Sequence, residues 1–273
     1  MHVVGIGLTP VKGMAHEPLA ALELPRGGLP GDRAFCFYDV AKDRVLRTVD
    51  HDALLACRAR FEPPVLTIST PAGEATGEVV ATGTRYVADY WGRPTELTAL
   101  EGPWSDLVSR HLGTEAVLCR VGRRGAVVWG GAVSVVTTSS LAEIARRIGR
   151  DAEDGRRFRA TFTVDTGDAA AFVEDAWTGR QLRLGDAVVR VRGPLERCAV
   201  IDRRPEAGGR DATVLRALAA DRRLNGQLVF GVHADVIHPG TVRLGGAVAV
   251  GSEGFSPAGA AGNDGSRAGH GRG

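Results

Sequence analysis

Short apolar runs, each closed by glycine, proline or aspartate, dominate this chain and limit what it can fold into. VVGIGL, AFCFYDV, PPVLTIST and RYVADYW in the first third have the lengths and boundaries of strands. The valine-dense AVVWGGAVSVVTT reads as buried sheet broken at Gly130 and Gly131, and QLRLGDAVVRVRGPLERCAVID and QLVFGVHADVIHPGTVRLGGAVAV continue the pattern. The 37 glycines and 13 prolines supply turns rather than long helices. Helical periodicity shows only in PWSDLVSRHLG, SSLAEIARRIG and DATVLRALAAD. In the second of these, Ser140 and Glu143 fit a capping box and Gly149 an exit. Trp104 and Trp177 read as core. A doubly wound parallel sheet needs repeated strand and helix alternation, which is absent. The expectation is a mainly β chain, closed or nearly closed into barrels, with peripheral helices.

Charge excludes more than it suggests. The 34 basic and 32 acidic residues leave a net +2, so no global field points to nucleic acid or to an anionic membrane. No apolar run approaches membrane-spanning length, and MHVVGIGLTPVKG lacks the pattern of a secretory leader. Four cysteines, Cys36, Cys57, Cys119 and Cys198, stand far apart with no CxxC, which argues against a zinc knuckle or a thioredoxin-like pair. A reducing cytoplasm with free thiols is expected.

Two stretches invite chemistry. In GPLERCAVID, Cys198 follows Arg197 at the end of a strand. It is either a small apolar plug or, with positive charge beside it, a thiolate able to act as nucleophile or soft-metal ligand. In ELPRGGLPGDR, glycines permit left-handed backbone, and closely spaced amides can face an anion. No GKS or GKT follows, so this is not a nucleotide P-loop.

Eight stretches in order, TPVKG, GLPGDR, WSDLVSRHLG, SSLAEI, RRFRATFTVD, FVEDAWTG, ERCAVID and NGQLVFGVHADVIHPGTVRLGG, resemble the MOSC family, named for the carboxyl-terminal domain of molybdenum cofactor sulfurases. The early PVK and GDR resemble the smaller amino-terminal β-barrel domain that accompanies it in the mitochondrial amidoxime-reducing component and its bacterial relatives. The resemblance implies a barrel-like domain over 1–95 and a MOSC β-barrel with peripheral helices over 96–250; the stretch 251–273, GSEGFSPAGAAGNDGSRAGHGRG, lacks a periodic apolar face and is expected to be a disordered tail.

It further implies a molybdenum cofactor, the metal held by a pterin dithiolene and by the sulfur of Cys198. Arg159 is implied to reach the cofactor, with Arg157 and Arg197 nearby. Lys12 and Arg33 are implied to close over its phosphate, with Gly13 at the mouth of the cofactor site. Thr137, Ser140, Thr161 and Asn225 fall where the family places short polar contacts, although Ser140 suits a helix cap and Asn225 a turn. Asp175 stands as a catalytic candidate, orienting an arginine or managing protons, or as a turn carboxylate. Gly13, Thr161 and Gly246 depart from the usual family residues, as do Val49 and Asp50.

The implied activity is reduction of N-hydroxylated or other N-oxygenated small molecules. The chain has no cysteine cluster for a fused ferredoxin, so electrons would come from a separate ferredoxin, flavoprotein or cytochrome b5-like partner. Sulfur transfer through a Cys198 persulfide or metal-bound sulfur, and a non-enzymatic cofactor carrier, are the alternatives.

Overall fold

The computed structural model describes residues 1–251; the expected tail therefore lies, apart from Gly251, outside the described residues. Five strands, Arg93–Glu101, Ala116–Val121, Phe35–Asp39, Arg44–Val45 and Val80–Tyr90, close into a barrel. Phe35–Asp39 is buried along its whole length because both of its faces are covered. Cys36 and Tyr38 pack with Ala88, Leu97 and Cys119. Phe35 and Phe37 pack the other way, against Trp104, Leu66 and Ile68. That second layer comes from a three-stranded sheet, Arg58–Glu62, Val65–Thr70 and Gly73–Glu78, and from the helix Trp104–Leu112. Trp104 is fully buried and its indole N–H donates to Leu66 O at 3.1 Å, so ring and polar edge are both accommodated.

Nine of the remaining strands form one sheet, and Ala21–Leu24 pairs with Gly240–Arg243 in a separate two-stranded one. The first strand, His2–Leu8, lies antiparallel to Phe162–Asp165, which runs parallel to Val133–Thr137. Gln227–His238, Ala187–Glu196, Gln181–Leu184 and Val248–Val250 follow in order. The sheet curls until the first strand meets the last turn. His2 bridges Ala247, Val3 N donates to Gly246 O at 2.9 Å, and Gly245 N donates to Val3 O at 2.8 Å. Val135, Phe162, Leu182, Val189, Val191 and Val232 fill the enclosed space. The mainly β, barrel-based architecture read from the sequence is the one observed.

Three details differ from expectation. The division expected between residues 95 and 96 falls inside Arg93–Glu101, which pairs with strands on both sides, so the first barrel continues to Val121; the first strand of the chain belongs to the other sheet. The AVVWGGAVSVVTT run is strand only from Val133, because Gly130 takes a φ of +98° and packs where a Cβ would lie 2.6 Å from Leu195 Cδ1. The helix Thr138–Arg147 is capped by Thr137, whose Oγ1 accepts from Ser140 N at 3.3 Å. Ser140 is therefore inside the helix, and Glu143 pairs with Arg146 and Arg147 instead of closing a capping box.

Residues 25–34 and 122–132 connect elements of the two bodies and border the seam between them. Among the described residues no helix is long and apolar enough to cross a membrane.

Candidate functional site

A cleft opens at that seam, and Cys198 lies on its wall. The strand Ala187–Glu196 delivers it there. Arg197 turns inward, its Nε donating to Phe230 O at 2.9 Å and its Nη1 to Phe158 O at 2.8 Å. Gly231 makes room for this guanidinium: its φ is +67°, and a Cβ would sit 2.6 Å from Val135 O and 3.4 Å from Arg197 Nη2. With Arg197 anchored inward, Cys198 faces solvent at the start of the short helical turn Ala199–Asp202. The other three cysteines are buried. Burial pushes the thiols of Cys57 and Cys119 up to about 12 and raises that of Cys36 too, so these remain protonated and inert at neutral pH.

Cations gather on the same cleft. Lys12 projects over the Tyr90 ring, 4.9 Å from its centroid. Arg159, held at a φ of +47°, has no ion-pair partner among the described residues. Burial, then the neighbouring Arg33, pulls its guanidinium down to about 10, so it stays charged at neutral pH. Arg33 pairs with Asp32 at 2.5 Å and extends Nη2 to Arg159 O at 3.4 Å. Lys12, Arg33, Arg159 and Cys198 are thus brought together from four distant parts of the chain.

Other expected residues are near the cleft but engaged elsewhere. Arg157 is a brace: Nε donates to Glu153 at 2.7 Å, Nη1 to Ile201 O, Arg203 O and Asp211, and Nη2 to Asp211 at 3.0 Å. Arg197 points its donors inward, as described. Thr161 exchanges hydrogen bonds with Ser134, whose N donates to Thr161 Oγ1 at 3.1 Å. At Gly13 the φ is +92° and a Cβ would lie 2.7 Å from Thr48 Oγ1, so the hydroxyl on this wall comes from Thr48.

Four expected residues do not line the cleft. Thr137 and Ser140 both donate to Glu174 Oε2, at 2.9 and 2.8 Å, in a buried network behind the helix. Burial raises the Glu174 carboxyl pKa despite these bonds. Asp175 accepts from Arg222 Nη1 at 2.5 Å, an arginine that stacks on Phe172. Asn225 and Gly226, with φ of +49° and +82°, form the two-residue turn between Arg223–Leu224 and Gln227–His238; the Asn-Gly pair is itself the signal for this turn.

Sequence reasoning missed Thr48, Tyr90, Trp129, Glu196 and His233, all on the cleft wall. Trp129 Nε1 donates to Glu196 Oε2 at 2.7 Å, which pins residues 122–132 close to Cys198. His233 presents a buried Nδ1 with no partner, and burial lowers its pKa. Its place on the wall comes from cross-strand register with Ser134 and Gly193.

Behind Arg159 sits His16, whose Nδ1 lies 3.3 Å from Thr9 Oγ1. Burial, Arg33 and Arg159 lower its pKa from 6.5 to about 3. The native state therefore keeps this ring neutral while the unfolded chain protonates it below 6.5, so stability falls as the pH drops from 6.5 towards 3. The loss reaches on the order of 4 kcal/mol at the acid end. Urea unfolding at pH 7 and pH 4.5 should show a smaller acid loss in His16→Gln than in the unsubstituted protein; equal losses would contradict a neutral buried His16.

A model of the MOSC domain matches residues 110–249. No curated protein matches the chain. Among solved structures, the chain is similar to the YuaD protein from Bacillus subtilis, at 14% identity and a TM-score of 0.43, covering 91% of this chain and 93% of that one. It is also similar to YiiM from Geobacillus stearothermophilus, at 16% identity and a TM-score of 0.33, covering 45% of this chain and 55% of that one. The assignment rests on the domain match, which spans more than half of the sequence: the chain belongs to the MOSC domain family, a family associated with binding of the molybdenum cofactor.

Proposed function

We propose that this protein is a molybdenum-cofactor-dependent oxidoreductase that reduces N-oxygenated small molecules, N-hydroxylated amidines among them. The observation that supports this most is the composition of the cleft: the exposed thiol is Cys198, and it shares the wall with Lys12 and Arg159, two cations without a carboxylate partner. Among the described residues no group of three or more His, Cys, Asp or Glu could hold a bare metal ion. One exposed cysteine sulfur amid unpaired cations suits a metal that arrives with its own ligands on an anionic carrier, which a phosphorylated pterin dithiolene is.

Bound there, the cofactor supplies two-electron redox chemistry at molybdenum. Cys198 would give the protein's sulfur ligand, fixed by the Arg197 anchor just before it and by the turn after it. Lys12, Arg33 and Arg159 would hold the phosphate and pterin, and Trp129 would limit access of bulk water. The net reaction takes an N-hydroxyl compound, two electrons and two protons to the N–H product and water. The electrons come from a separate redox protein.

The test begins with protein purified from a host that makes the cofactor. Molybdenum and pterin are quantified per chain, and chemically reduced protein is offered benzamidoxime, a panel of other N–O compounds and matched alcohols. Conversion of N–O compounds with the alcohols inert supports the reading. Fully loaded, reduced protein that leaves the whole panel unchanged but passes labelled sulfur from Cys198 to an acceptor would replace it with sulfur transfer.

A further inference from the structure

A second hollow adjoins the Cys198 cleft and shares with it Asp32, Val128, Gly131 and Ala132. Several arginines elsewhere are matched, Arg147 with Glu143 and Asp221 and Arg156 with Asp154 and Glu206. Here Arg93, Arg123 and Arg124 line one hollow, and none has an ion-pair partner among the described residues. The two acids beside them are occupied, Asp32 by Arg33 and by Thr9 N, and Asp235 by Arg192 at 2.6 Å.

Two of the three arginines are held in place without being neutralised. Arg124 Nη1 donates to Gly28 O at 2.9 Å, while Arg93 Nη2 donates to Val128 O at 3.1 Å and its guanidinium lies 4.9 and 4.8 Å from the Tyr90 and Trp129 ring centroids. Carbonyls and rings orient a guanidinium but leave its charge and its other N–H groups available, the arrangement that suits bidentate recognition of phosphate. The wall opposite is close-built: at Gly28, with a φ of +97°, a Cβ would meet Ala132 Cβ at 2.9 Å.

We propose that this hollow binds a phosphate or diphosphate group of a ligand whose other end occupies the Cys198 cleft. For a substrate, this deepens the proposed reductase reading by assigning it a phosphorylated N-oxygenated molecule; the anion site itself rests on geometry independent of that reading. The phosphoryl group can arrive on the substrate or on an extended form of the cofactor, and the chemistry of recognition is the same.

The first measurement needs no turnover. Inorganic pyrophosphate is titrated into the protein as isolated, at low ionic strength, by calorimetry. The double variant Arg123→Glu, Arg124→Gln, both exposed positions, should weaken binding at least tenfold with unchanged circular dichroism, and should do so equally in an Arg159→Ala background, where phosphate binding by the first cleft no longer enters the comparison. Unchanged affinity in the double variant, or loss only in Arg159→Ala, overturns the site whether or not the protein proves to be a reductase. The source follows from two further arms. A phosphorylated N-hydroxy substrate with a KM at least tenfold below that of its dephosphorylated form, a preference lost in the double variant at unchanged kcat, places the group on the substrate. Released pterin carrying a second phosphate, and retained less well by the double variant, places it on the cofactor.

Discussion

Replacing Cys198 by alanine is expected to lower molybdenum per chain at least tenfold and turnover of N-oxygenated substrates by more than a thousandfold, with the fold intact. The side chain is exposed, so its removal leaves no cavity and costs less than about 1 kcal/mol. The neighbouring Arg197 bonds to Phe158 O and Phe230 O do not involve the sulfur and should hold the backbone where it is. Metal analysis, activity and thermal unfolding on the same preparation separate a lost ligand from a lost fold. A folded variant that keeps molybdenum and turnover at the original levels would remove Cys198 from the site. Cys57→Ala is the informative contrast: that thiol is fully buried, so the loss should appear in stability, by about 1 to 3 kcal/mol, and leave the metal in place.

The largest stability effect is expected at Arg157. Its side chain and that of Glu153 are almost wholly removed from solvent, and its guanidinium also holds Asp211 at 2.9 Å. Arg157→Leu would leave these carboxylates with Arg150 alone, and truncating one partner of a buried network costs about 3 to 5 kcal/mol. For a chain of this size that corresponds to a fall in Tm of roughly 10 °C. Because Nη1 also carries the carbonyls of Ile201 and Arg203, the turn following Cys198 should loosen as well. Denaturant unfolding measures the first effect and hydrogen exchange across residues 198–203 the second. A loss below about 1 kcal/mol would mean the network is not what secures this segment.

Much of this was legible before the structure, and what was not has identifiable causes. The strand runs, the three helices and the Cys198 motif are local patterns, and local patterns survive folding. RRFR shows three arginines and gives no sign of which one reaches the cleft. That is decided by the left-handed backbone at Arg159, which turns its side chain away from the carboxylates that hold Arg157. Asn225 carried two signals, a polar side chain in a family position and an Asn-Gly turn, and backbone geometry favoured the second. Thr137 and Ser140 were placed near the pterin, but their hydroxyls serve Glu174, a carboxylate whose burial no spacing reveals. His233 and Trp129 reach the cleft through pairing across the sheet and a long connection, both of which are non-local.

The return of the first strand to the end of the chain bears on how the molecule is made. Strands of the five-stranded barrel all come from residues 35–121, so that unit can form soon after it leaves the ribosome. The nine-stranded sheet is tied end to end only when Met1, His2 and Val3 meet residues 245–248, a contact of the kind that slows folding. At about 5–20 residues per second, HVVGIGL waits on the order of ten seconds or more for its main partner Phe162–Asp165 to be made, and until then it is a natural client for a chaperone. The cleft gains its last wall residue, His233, late in synthesis. Loading of any ligand there is consequently late too, and nascent chains stalled before residue 233 should be unable to take it up.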